Sequence, residues 1–137
     1  MASTTAQIRA ALAAAIKAGI TGWQVSPYML ALPIAPAIDI RPSGTIFDRA
    51  MARGSDDLSY MIRAMVAFNN DQGAQIRLDT LIDATASTGM KTVLETDKTL
   101  GAVVGDVRVV SVSDYKALIV EGQPPLLAVE FLTMVYP

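Results

Sequence analysis

Three aspartates and two arginines crowd one short stretch: Asp48, Arg49, Arg53, Asp56 and Asp57. Carboxylates grouped in this way have two chemical uses. Converging from rigid positions, they would ligate a divalent cation such as Mg²⁺ or act as general acids. Interleaved with guanidinium groups, they would pair with one another or dock against a second protein. These five residues flank a turn centred on Gly54 and bring their own counter-ions. Mutual charge pairing is therefore a simpler outcome than a metal site.

The rest of the chain offers little to a catalyst. It contains neither His nor Cys. Without them there is no thiol nucleophile, no disulfide, no thiolate or imidazole ligand and no imidazole base. No G-x-G-x-x-G and no Walker loop occurs. "SDYK" (Ser113–Lys116) groups Ser, Tyr and Lys, but nothing in the spacing supplies an oxyanion site, and it reads as a strand end entering a solvated loop. "GAVVG" (Gly101–Gly105) has small-xxx-small spacing without a long apolar context, so its glycines read as turn residues. The expectation is a protein with no catalytic residues, no cofactor and no metal.

Nucleic acid and membrane are disfavoured on similar grounds. The net charge is −2, and no basic patch is visible for phosphates. The segment "IRLDTLIDATASTGMKTVLETD" has helix-turn-helix proportions. Its second helix, however, carries Lys91 against Glu95 and Asp97, the wrong sign for a DNA groove. No signal peptide is visible. The longest apolar run, Tyr28–Ile38, is interrupted by Pro33 and Pro36, too short and too broken for a membrane span.

Composition points instead toward assembly. The 137 residues suit one domain, and they are 52% hydrophobic but only 18% charged, against about 25% in ordinary soluble chains. A small monomer has much surface to solvate. The apolar excess implies either surface buried against other subunits or an alanine-rich composition without further meaning.

Periodicity gives the elements that would position these groups. "STTAQIRAALAAAIKAGITGW" predicts a first helix, capped by Ser3, Thr4 or Thr5, with Ile8, Leu12, Ala15 and Ile16 inward and Gly19 or Gly22 ending it. "WQVSPYML" predicts a short extended segment at a sheet edge, because Pro27 cannot donate to a ladder. "AIDIRP" follows as a strand, alternating Ala37, Asp39 and Arg41 against Ile38 and Ile40. "TIFDRAM" and "DDLSYMIRAMVAF" predict a hairpin around Ala52–Ser55, with Leu58, Tyr60, Ile62, Ala64, Val66 and Phe68 on one face. A second helix, capped by Asn70 or Asp71, turns Ala74, Leu78, Leu81, Ile82 and Thr85 inward. A short third helix buries Val93 and Leu94. Strands at Asp106–Tyr115 and Leu126–Tyr136 close the chain. The class is α+β, a twisted, mostly antiparallel sheet with helices on one face, in the order α-β-β-β-α-α-β-β.

On the other face, Arg63, Arg108 and Glu130 are expected among Met61, Met65, Val110, Val112, Leu132 and Met134. An apolar face studded with a few charges describes a protein interface. It equally describes a second internal layer with paired charges.

Taken in order, several segments resemble the tail terminator (tail completion) proteins of long-tailed, non-contractile bacteriophages. They are "PYMLALPIAPAIDIRP", "FDRAMARGSDDLSYMIRAMVAF", "DQGAQIRLDTLID", "MKTVLETDKTLGAVVGDVRV" and "GQPPLLAVEFLTMVYP". The D-x-A-M-x-R-G stretch from Asp48 and the L-G-x-x-V-x-D turn from Leu100 carry most of the likeness. The resemblance implies a single domain over residues 1–137, with a projecting hairpin arm at 43–58. It implies a hexameric ring at the head-proximal end of the tail tube, which stops tube polymerisation and joins tail to head. The implied partners are further copies of the chain, the tail tube protein and a head–tail connector or stopper protein. DNA would pass through the lumen without sequence-specific contacts. The implied location is the neck of the virion, with assembly in the host cytoplasm. Interface residues would then include Asp48, Arg49, Arg53, Asp56, Asp57, Arg63, Arg108 and Glu130. A head–tail stopper or adaptor, or a small ligand-binding α+β domain, are the alternative readings.

Overall fold

The computed structural model describes residues 4–29, 36–46, 57–67, 71–83, 85, 87–119, 121–122 and 125–136. Along the chain these form α1 (Thr5–Gly19), β1 (Gln24–Ser26), β2 (Ala37–Ile46), β3 (Asp57–Ala67), α2 (Asp71–Ile82), α3 (Met90–Thr96), β4 (Asp106–Leu118) and β5 (Leu126–Tyr136). The strands make one sheet in the order β1-β2-β3-β5-β4. Only the β1–β2 pairing is parallel. The class and element order are those read from the sequence.

The core lies between the helices and one face of the sheet. Ile8, Leu12 and Ile16 of α1, Leu78 of α2 and Leu94 of α3 are fully buried there. They meet Ile38 and Ile40 of β2, Tyr60 and Ile62 of β3, and Val129 and Phe131 of β5 in one cluster. A period of two on the strands and near 3.6 on the helices brings these apolar sets face to face.

Local signals fix the helix ends. Thr4 caps α1: its hydroxyl accepts from the Gln7 N–H, and the Gln7 side chain accepts from the Thr4 N–H, a reciprocal capping box. Gly19 has a different role from the expected terminator. It is the last helical residue, before the Ile20 cap, and a Cβ there would stand 2.5 Å from Val93 Cγ1, so glycine lets the end of α1 approach α3 closely. Helix α2 stops at Ile82, and Thr85 is exposed rather than inward. The reason is local: the Asp83 carboxylate accepts from both the N–H and the hydroxyl of Thr85, folding the chain into a side-chain-capped turn.

Two strand readings need correction. "AIDIRP" and the following "TI" are one strand, β2, with an irregularity between Pro42 and Gly44. Strand β4 continues to Leu118 through "SDYK", where Asp114 takes a left-handed φ of 55°. The register of β4 also slips between Val109 and Ser111 and between Ser113 and Lys116. Simple alternation would put Arg108, Val110 and Val112 on one face. The first slip leaves Val110 at the irregularity and pairs Val112 with Phe131, on the helix side.

Candidate assembly surfaces

The sheet face opposite the helices carries an ion network across three strands. Asp39, Arg63 and Glu130 stand side by side in the ladder, from β2 to β3 to β5. The Arg63 guanidinium donates to both Asp39 oxygens, at 2.7 Å from Nη2 and 3.3 Å from Nε. Arg41, one pleat further along β2, reaches Glu130 at 3.3 Å. The Asp39 carboxylate is almost fully buried. Around it lie Ala37, Met65, Leu126 and Ala128, a small second apolar cluster. The two arginines therefore neutralise two carboxylates that would be costly to bury unpaired.

Of the eight residues singled out from sequence, the structure brings Arg63 and Glu130 together. Both are engaged inside the chain, so a neighbouring subunit at this face would meet paired charges. Arg108 is exposed and sits opposite Met134, four residues along β5 from Glu130. Asp57 opens β3, half-buried and paired with Ile46. Asp48, Arg49, Arg53 and Asp56 lie outside the described residues, between the paired ends Ile46 and Asp57.

Sequence reasoning passed over Arg9. Its Nε donates to the Pro27 carbonyl and its Nη2 to the Ile40 carbonyl, each at 2.8 Å. Its guanidinium also lies 4.7 Å from the centre of the Tyr28 ring. One side chain thus ties α1 to the edge strand and to β2. Arg9 is the lone charge among the helix's first ten residues, but no local signal announces carbonyl partners 18 and 31 residues away. Nearby, burial raises the Tyr60 hydroxyl's pKa, against the opposing influence of Thr5 and Arg9.

A parallel staple joins α3 to β4. The Glu95 carboxylate accepts from the Val109 N–H at 3.1 Å, beside the first slip of β4, and also binds the Lys91 ammonium. Burial works against its charge. Lys91, the Val109 N–H and Lys98 outweigh that and hold it below the usual carboxylate range. Tyr115 reaches from β4 toward Asp79 of α2; partial burial and that carboxylate push its hydroxyl's pKa up.

The L-G-x-x-V turn is built from left-handed backbone. Leu100, Gly101 and Ala102 have φ of 51°, 70° and 68°. Asp97 holds the turn, accepting from the hydroxyl and N–H of Thr99 and from the N–H of Gly101, and these contacts lower its pKa. Together with the outward alanines of α1 this turn lines a groove of about 960 Å³. Ala10, Ala14, Ala18, Val93 and Val103 form much of its wall.

No group of three or more acidic side chains among the described residues is placed to hold a metal ion. No described helix is long and apolar enough to cross a membrane. No protein-family model matches the chain, and no curated protein matches it at a significant level.

Proposed function

We propose that this protein is a structural component of a bacteriophage tail, forming a ring at the head-proximal end of the tail tube. In this reading the ring is hexameric, stops tube growth and presents its far side to a head–tail connector or stopper protein. The protein acts by assembly and not by catalysis.

One observation carries the proposal beyond the sequence resemblance. Among the described residues, most of the exposed large apolar side chains lie at the two lateral edges of the sheet, with Ile46 and Ile76 elsewhere. Tyr28 and Met29 follow edge strand β1, while Val110, Val112, Tyr115 and Ile119 lie on or just past edge strand β4. Two unlike patches on opposite edges suit head-to-tail contact, the kind of interface that closes rings. The low charge fraction fits the same use. In this reading the charges of Asp48, Arg49, Arg53, Asp56 and Asp57 set register with a neighbour, since charge favours specificity more than affinity.

The test is assembly on tubes. Purified protein is added to polymerising tail tube protein, and tube ends are imaged. Six-fold rings seated on blunt ends support the proposal. Rings that ignore tubes and bind the portal side shift it to a stopper or adaptor. Failure to bind either overturns it. Reversing Arg49 and Arg53 to glutamate is expected to weaken docking with the melting temperature unchanged.

The groove beside α1 favours a second reading, a small ligand-binding domain. Its volume and apolar walls suit a small molecule. Under that reading Ala14→Trp abolishes binding of an apolar fluorescent probe and leaves tube binding intact.

A further inference from the structure

We propose that the free edge of β4 pairs with the β4 edge of a second copy of this chain, antiparallel, about a two-fold axis at Ser111. The inference is independent of the ring reading. It rests on the exposure, register and charge order of one strand.

Strand β4 is the last in the sheet and has β5 on one side only. It is 13 residues long, and every residue from Val110 to Ala117 is exposed. A long edge strand carrying Val110 and Val112 offers backbone donors and acceptors to another chain, apart from the Val109 N–H that Glu95 already holds. The opposite edge differs. β1 has only three residues, and Arg9 occupies the Ile40 carbonyl just past its pairing with β2.

The irregularities in β4 decide which residues share a face. Asp106, Arg108, Ser111, Ser113 and Lys116 pair with Tyr136, Met134, Leu132, Glu130 and Ala128. Those partners are alternate residues of β5, so the five β4 residues occupy five successive pleats of the outer face. Ser111 is the middle one. Reversing the strand about Ser111 sets Asp106 opposite Lys116 of the second copy and Arg108 opposite Ser113, next to Asp114. Both slips are accommodated, because the pleats number the same on either side of the centre.

Each opposite-charge pair occurs twice by symmetry. Within one chain, Asp106, Arg108, Asp114 and Lys116 join none of the ion pairs found among the described residues. Their charges are therefore open to a partner. A parallel, in-register pairing would set Asp106 against Asp106 and Lys116 against Lys116, and like charges directly opposite are destabilising. The strand β1 carries no charge to answer those of β4. The favoured occupant is thus a second β4 running the other way. Such a dimer covers an edge that ring closure would also use, so the two states exclude each other.

The experiment uses the full chain and measures mass in solution over a wide concentration series. A monomer–dimer equilibrium is expected. Asp106→Lys sets Lys against Lys twice and should raise the dissociation constant by about tenfold; Lys116→Asp should do the same. Combining both in one chain restores opposite charges and should restore the dimer. Ser111→Cys introduces the chain's only thiol. The two copies' Ser111 Cα atoms would lie about 4.5–5.5 Å apart, within disulfide range, so mild oxidation should link the dimer. A monomer at every concentration overturns the proposal. So does a dimer that ignores the single reversals, or that Ser111→Cys fails to cross-link.

Discussion

The Asp39 carboxylate is gripped by the Arg63 guanidinium through two contacts, at 2.7 Å and 3.3 Å, on the sheet face away from the helices. The side chain of Asp39 is 3% exposed and that of Arg63 19%. Removing either partner strands a charge that the fold does not hydrate well. Asp39→Ala is expected to destabilise the protein by about 2–4 kcal/mol, somewhat below a fully buried pair, because Arg63 keeps some water and has Glu130 beside it. A double-mutant cycle with Arg63→Ala, read by urea unfolding, should return a coupling of about 1–3 kcal/mol. A coupling near zero would mean that the two side chains contribute independently.

Arg9 gives a second prediction, about geometry more than charge. Lysine keeps the charge but lacks the planar fork that reaches the Pro27 and Ile40 carbonyls together. Arg9→Lys should cost about 1–3 kcal/mol. Hydrogen exchange should accelerate first at Gln24–Ser26, the edge strand that Arg9 ties down.

Gly19→Ala sets helix propensity against packing. In an open helix the change gains up to about 1 kcal/mol. Here the new methyl would meet Val93 Cγ1 at 2.5 Å. Net destabilisation of about 1–3 kcal/mol is expected from the overpacking. Combining it with Val93→Ala should recover part of the loss in a thermal melt, whereas the two losses would simply add if the contact played no part.

Glu95 makes stability depend on acid. Burial opposes its charge, but Lys91, the Val109 N–H and Lys98 together lower its pKa in the folded chain. A depressed folded value means that the contribution is complete above the ordinary glutamate range. It is lost as pH falls through the lower, folded value. Glu95→Gln should therefore be less stable than the parent at neutral pH, with the gap narrowing on acidification below the ordinary range. Unfolding titrations at a series of pH values check this; a gap constant with pH would assign the effect to packing.

Thr133 runs the other way. Its hydroxyl is fully buried on the helix side of β5 and has no hydrogen-bond partner among the described residues. Thr133→Val removes a desolvated polar group and keeps the β-branch. A gain of about 1 kcal/mol is expected in denaturant unfolding; a loss would point to water bound at that hydroxyl.

The amino-acid sequence by itself determined the fold class, the order of the elements and much of the core. The apolar spacing of Ile8, Leu12 and Ile16 and the alternation of Tyr60, Ile62 and Ala64 are local properties, readable within one or two turns or pleats. The same local logic picked out Val93 and Leu94 and the boundaries of β5. Contacts between distant residues were decided by the tertiary structure. Arg9 meets Ile40, and Arg41 meets Glu130, because the strand order β1-β2-β3-β5-β4 sets them together. No periodicity encodes a partner 89 residues away. The face of Val112 was equally hidden, since one extra residue at the first β4 slip reverses the side chains after it until the second slip restores them. The charge order Asp106, Arg108, Asp114, Lys116 was always present in the sequence. Only the pairing with β5, which sets Asp106, Arg108 and Lys116 on one face, gave that order the spacing on which the proposed strand pairing rests.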